Sequence, residues 1–179
     1  MVEKEDKKEL MYNKDLLDDY INYLLRLFQN EDSRLNIIES KVSQLISQSG
    51  LIISIISFII PLFYDKLNCL DLGFKIVLGL MFVLTIIFLG LSIFKAGGIF
   101  KIYKFKYSDC SVETLKKNFE KSENFKEEYI SDLIYSINNN KALNNTKGSI
   151  LIWANRFFIY GIYSLILLSF LLIIGYYFV

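Results

Sequence analysis

Histidine is missing altogether from these 179 residues. Its absence removes the commonest general base, the triads built on imidazole, and most zinc and haem ligation. Cysteine occurs twice, at Cys69 and Cys110, without the CxxC spacing of a metal or redox site. Proline occurs once, at Pro61, so no Pro-rich disordered tract is present. An excess of one charge is missing too. Twenty Lys and Arg stand against nineteen Asp and Glu, a net charge of +1, and no global field draws the chain to nucleic acid. There is no GxGxxG, no Walker A sequence and no other phosphate-cradling Gly loop, which argues against a direct nucleotide ligand. The carboxylates Glu127, Glu128 and Asp132 lie beside lysines in a charged stretch, as a solvated helix face does. The expectation is a non-enzymatic protein with no metal and no cofactor.

What the chain has is apolar length. Ile46–Tyr64 runs 19 residues without a charge, Ile76–Phe94 another 19, and Phe157–Val179 a further 23. A bilayer core of about 30 Å is crossed by roughly 20 helical residues at about 1.5 Å each, so each run is long enough to span. Soluble helices of this length would show a polar face. The expected fold is an all-α membrane protein with three transmembrane helices. A cytoplasmic helical bundle is expected from the N-terminal arm and the segment between helices two and three. By position this gives an amphipathic arm (1–45), a first span (46–64), a short external loop (65–75), a second span (76–94), a cytoplasmic helical segment (95–156) and a third span (157–179). The first 45 residues are polar and charged, so the first span is expected to serve as its own membrane signal.

Orientation follows from basic residues near the span ends. Lys66 and Lys75 flank the connection between spans one and two. Arg34, Lys41, Lys95, Lys101, Lys104, Lys106, Lys141, Lys147 and Arg156 lie on the other side, nine against two. The N-terminus is therefore expected inside and the C-terminus outside a cell inner (plasma) membrane. Trp153, Tyr64, Tyr160, Tyr163, Tyr176 and Tyr177 sit near span ends, as aromatic belts do.

The arm has a readable period. Leu17, Ile21, Leu24, Phe28, Glu31, Leu35, Ile38, Val42 and Leu45 are spaced alternately by four and three, and Glu31 alone interrupts the apolar seam. Asn30-Glu31-Asp32-Ser33 allows a break with Asp32 or Ser33 as a cap, so the arm is either one long helix or a hairpin of 9–29 and 33–64. The seam must bury against the rest of the chain, against further copies, or against both. In the second segment Val112, Leu115 and Phe119 form a short stripe. Phe125, Tyr129, Ile130, Leu133, Ile134 and Ile137 form an amphipathic helix. The Asn cluster at 138–140 and 144–145 reads equally as a turn or as a polar helix running into span three.

The spans carry a second pattern. Ser43, Ser47, Gly50, Ser54, Ser57 and Pro61 form one narrow stripe of small residues on the first span. Ala154, Gly161, Leu168 and Gly175 recur every seven residues on the third, with Ser164 beside them. Such faces let helices approach closely within a protomer; alternatively they form the seam of an oligomer whose Ser stripe lines a narrow pore. No ionisable residue lies in the middle of a span, which lowers any pump or coupled-transport reading.

Residues 31–62, EDSRLNIIESKVSQLISQSGLIISIISFIIPL, place Glu39-Ser40-Lys41-Val42 at the membrane edge before a small-residue start to an apolar span. This stretch, with YISDLIYSINNNKALNNTKGSILIWA at 129–154, resembles the small membrane-spanning effectors of bacterial antiphage signalling systems, the transmembrane effectors of Pycsar and CBASS operons. The resemblance implies a homo-oligomer that permeabilises the inner membrane on an infection signal. A third span and the lack of a ligand module depart from that pattern. The alternative is a membrane accessory or immunity protein that docks a cytoplasmic protein through its helices. The bilayer is the expected partner in both readings, and nucleic acid in neither.

Overall fold

The computed structural model describes residues 2–68, 70–100 and 122–177. These residues form three long helices: α1 (Val2–Asn68), α2 (Leu72–Gly97) and α3 (Ser122–Tyr177), with a 3-10 turn at Gly98–Phe100 after α2. Cys69, Cys110 and the Val112–Phe119 stripe lie outside the described residues. All three helices are long and apolar enough to cross a membrane.

The arm is a single helix, not a hairpin. Nothing from residue 1 to Ser49 is Gly or Pro, and α1 passes through Asn30–Ser33 unbroken. It also passes Pro61 and ends at Asn68, so the first span does not stop at its proline; Pro inside a spanning helix is tolerated where the freed carbonyl is satisfied otherwise. Helix α2 opens on Asp71, whose Oδ2 accepts the Gly73 N–H at 3.0 Å. This N-cap satisfies one of the free amides at the helix start. Lys95 lies in its last turn, where a cation suits the helix dipole. The Asn cluster is helical, within α3. Asparagine favours turns when its side chain competes for the backbone. Here Asn140 and Asn144 are fully buried, and burial outweighs that preference.

The chain divides into two compact units. The first takes α1 up to Asn36 and α3 up to Asn145. In it Leu24 and Leu35 of α1 and Leu133 of α3 are buried. Asp18 meets Lys126, and further along Glu31 meets Asn144, so the two helices run parallel.

The second unit takes α1 from Ile37, all of α2, and α3 from Thr146. Its core gathers Ile38, Val42 and Leu45 of α1, Ala96 of α2, Ile99 of the following turn and Ala154 of α3. Glu39 meets Lys147 at the start of the shared stretch, so α1 and α3 are parallel here too. Helix α2 runs the other way: Ser92 meets Ala154, Leu89 meets Gly161, and Thr85 meets Ser164. Leu51, Phe58, Leu80, Phe94, Ile166 and Phe170 all point outward from this unit. A water-soluble protein does not keep so much apolar surface. These faces suit lipid, and the molecule is a three-helix membrane-spanning protein.

The buried positions keep a period of 3.5. On α1 they are Leu35, Ile38, Val42, Leu45, Ser49 and Ile56; on α2, Leu78, Thr85, Leu89, Ser92 and Ala96. On α3 one set recurs every seven residues, Leu133 and Asn140 in the first unit, then Lys147, Ala154, Gly161, Leu168 and Gly175 in the second, and Ser136, Asn144 and Ser164 are buried three or four residues from members of it. A repeat of 3.5 keeps one stripe facing its neighbour, as knobs-into-holes packing requires.

Candidate functional site

The chemistry in this molecule is concentrated where polar side chains enter the seams. In the first unit Glu31, the interruption of the apolar pattern, has a specific partner. Asn144 donates from Nδ2 to the Glu31 carbonyl oxygen at 2.8 Å and to Glu31 Oε2 at 2.9 Å. Two acceptors on one side fix which end of the amide is nitrogen. Arg34 donates to Asn145 Oδ1 at 2.8 Å and lies 3.6 Å from the Glu31 carboxylate. The Asn144 Oδ1 is buried and accepts no hydrogen bond.

One turn nearer the apolar runs, Lys147 is 4% exposed. Its Nζ lies 2.8 Å from Glu39 Oε1. A buried ammonium needs such a counter-charge, because desolvation otherwise costs several kcal/mol. Past this pair, deeper in the second unit, the links become hydroxyls. Thr85 donates to the Met81 carbonyl at 2.9 Å and lies 2.8 Å from the Ser164 hydroxyl. A hydroxyl has one hydrogen, so Ser164 donates to Thr85 across the interface. Ser92 donates to the Ala154 carbonyl at 2.9 Å. A Cβ added at Gly161 would lie 2.7 Å from Leu89 Cδ2 and 2.9 Å from its Cγ, so only glycine admits this approach of α2 to α3.

The sequence-predicted residues separate into two groups. Leu24, Leu35, Ile38, Val42 and Leu45 are buried, while Leu17, Ile21 and Phe28 are half-buried. This seam is used within the chain. Gly161 and Ser164 are also buried, against α2. The Ser stripe of α1 is not. Ser43, Ser47, Ser54 and Ser57 are exposed and Gly50 is half-buried. At about 100° per residue the stripe lies about 120° around α1 from the buried seam. Ser54 and Ser57 turn their hydroxyls back to the Gly50 and Ile53 carbonyls, at 2.9 and 2.8 Å. Pro61 lies within α1, on the same helix.

No protein-family model matches the chain. No curated protein and no solved structure matches it significantly either. The reading of the site therefore rests on its own geometry. Asn140, Asn144, Lys147, Thr85 and Ser92 were not singled out by sequence reasoning. The signal for three of them was available: the seven-residue recurrence of Ala154, Gly161, Leu168 and Gly175 extends backwards through Lys147 and Asn140 to Leu133, and Asn144 lies one turn after Asn140.

Proposed function

We propose that this chain is a self-associating protein of the inner (plasma) membrane whose assembled form permeabilises the bilayer, as the membrane effector of a prokaryotic antiphage system. The observation that carries the reading is the open face of α1. Ser47, Ser54 and Ser57, with the half-buried Gly50 between them, form a stripe of small side chains left open to the outside among the described residues. Their hydroxyls are satisfied at Ser54 and Ser57 by their own helix, so the stripe can face lipid at little cost. Its small volume also lets a second helix approach closely, which is what drives association where lipid is as apolar as leucine.

A conducting path within one protomer is opposed by the filled centre of the second unit, where Leu89, Ala154, Thr85 and Ser92 are all fully buried. A path must then form between copies, and the stripe supplies the polar atoms for its wall. The antiphage role comes from the resemblance of residues 31–62 and 129–154. The nine-to-two basic asymmetry supports an inside N-terminus and an outside C-terminus.

One observation favours a second reading, docking of a cytoplasmic protein. Leu16, Tyr20 and Tyr23 stand exposed on α1 at helical spacing, beside the buried seam. The two readings differ in whether the chain alone is harmful. The test replaces Cys69 and Cys110 by Ser and introduces Ser54→Cys or Ser57→Cys. Expression with a membrane-potential dye should show depolarisation, and a small water-soluble thiol reagent should block the current. Full protection of both cysteines in a depolarised cell would remove the stripe from any aqueous path. No depolarisation at all would leave the docking reading.

A further inference from the structure

A second surface is built at the level where the polar and apolar parts of the sequence meet. Lys41 is the last charged residue of α1 before Asp65, and Arg156 is the last of α3. Around these positions an open cleft of about 360 Å³ lies between α1 and α3 in the second unit. Lys41, Gln44, Gln48 and Asn155 provide its polar lining, and Leu45, Leu151 and Ile152 its apolar part. None of the lining side chains is acidic. Lys41, Gln44, Gln48 and Asn155 are exposed, and none is engaged in a hydrogen bond or ion pair among the described residues. The contrast with Lys147 matters. That ammonium is buried and held by Glu39, whereas the Lys41 ammonium meets no counter-charge among the described residues.

We propose that this cleft binds the headgroup of an anionic phospholipid in the leaflet that meets residues 41–48. The phosphate sits at Lys41, where one cation meets one anion at the membrane surface. Gln44, Gln48 and Asn155 offer amide N–H groups to the phosphate and ester oxygens below it. Leu45 and Leu151 start the wall along which an acyl chain leaves, and exposed Leu51 and Ile55 continue it down α1. The depth is set independently by Trp153, whose ring stacks under Arg156 at 4.9 Å. An aromatic ring with a cation on it is an interfacial anchor, and it lies two residues from Asn155. A volume of this size holds a headgroup rather than a protein segment. The site is on a different face of α1 from the Ser stripe, and it holds whether or not copies of the chain assemble into a pore.

Trp153 is the single tryptophan but is absent from the cleft lining, so the indole that reports on lipids is moved onto that lining: the parent chain for this test carries Trp153→Phe and Ile152→Trp. The purified full chain is placed in phosphatidylcholine vesicles containing an equal, minor fraction of either brominated phosphatidylglycerol or brominated phosphatidylcholine. Quenching by the anionic lipid should exceed that by the neutral one. Lys41→Gln should lower this preference about fivefold, the weight of one basic residue at an anionic surface. Asn155→Leu, which changes no charge, should lower it as well, while Lys95→Gln, an exposed charge outside the cleft, should leave it unchanged. The helix content of each variant, read by circular dichroism, should match the parent. Equal quenching by the two lipids in the parent chain overturns the proposal. So does a loss in Lys95→Gln as large as in Lys41→Gln, which assigns the preference to diffuse surface charge, or an unchanged preference in Asn155→Leu.

Discussion

The first unit joins α1 to α3 with charged groups and amides; the second begins with the Glu39–Lys147 ion pair and past it joins its helices with hydroxyls and missing side chains. Lys126–Asp18, Asn144–Glu31 and Arg34–Asn145 tie the first. Thr85–Ser164, Ser92–Ala154 and the Leu89–Gly161 contact tie the second. The difference teaches what each solvent leaves for the protein to do. In water, apolar burial supplies most of the association, and polar groups specify register. Between helices in lipid there is no such drive, so close packing and interhelical hydrogen bonds carry the contact.

The largest expected effects test that distinction directly. Leu133→Ala in the first unit removes a fully buried side chain and should cost about 2–5 kcal/mol in a denaturation experiment followed by circular dichroism. Leu89→Ala removes an equally buried leucine from the second unit and should cost less, since lipid does not penalise the apolar surface it exposes. Equal losses would erase the contrast between the units. Next comes Gly161→Val, which drives methyl groups into Leu89 and should cost about 1–3 kcal/mol. Combined with Leu89→Ala it should cost less than the sum, and a strictly additive double variant would mean the contact is not tight.

Smaller changes sharpen the comparison. Asn144→Leu removes both hydrogen bonds to Glu31 and should cost about 1–3 kcal/mol, because the Glu31 groups lose a buried donor. Thr85→Val keeps shape and loses the Ser164 link; a cost of about 0.6 kcal/mol is expected, the average for such bonds in membrane helices. A cost for Thr85→Val above that for Asn144→Leu would invert the picture. The smallest effect belongs to Ser54→Ala. Its hydroxyl bonds only its own helix, so stability of the protomer should not move measurably, and any change should appear in assembly alone.

Much of this arrangement is legible in the residues. Three chargeless runs announce the spans, and the alternation of four and three from Leu17 to Leu45 announces a buried face of α1. The continuation of that face was hidden because its next position is Ser49, a small polar residue next to a more regular stripe of Ser and Gly. Periodicity finds both stripes; it does not say which turns inward when both are small. Glu31 read as a flaw in the seam, since its Asn144 partner is 113 residues away. The asparagine cluster left two readings open because turn preference and tertiary burial pull in opposite directions, and only the burial of Asn140 and Asn144 decides between them.

Each of the six polar links between helices named above has one end on α3. That fact has a meaning for biogenesis. A chain made from its N-terminus delivers α1 and α2 first, and during that interval Glu39 and Ser92 lack the α3 partners they have in the finished fold. Thr85 can wait, because its hydroxyl already bonds the Met81 carbonyl of its own helix. Helix α3, which emerges after both, is thus the clasp: it supplies Lys147 to one neighbour and the Ala154 carbonyl and Ser164 hydroxyl to the other. A ribosome stalled before Ser122 would leave two helices in the bilayer with their polar ends unmatched, a natural substrate for membrane quality control.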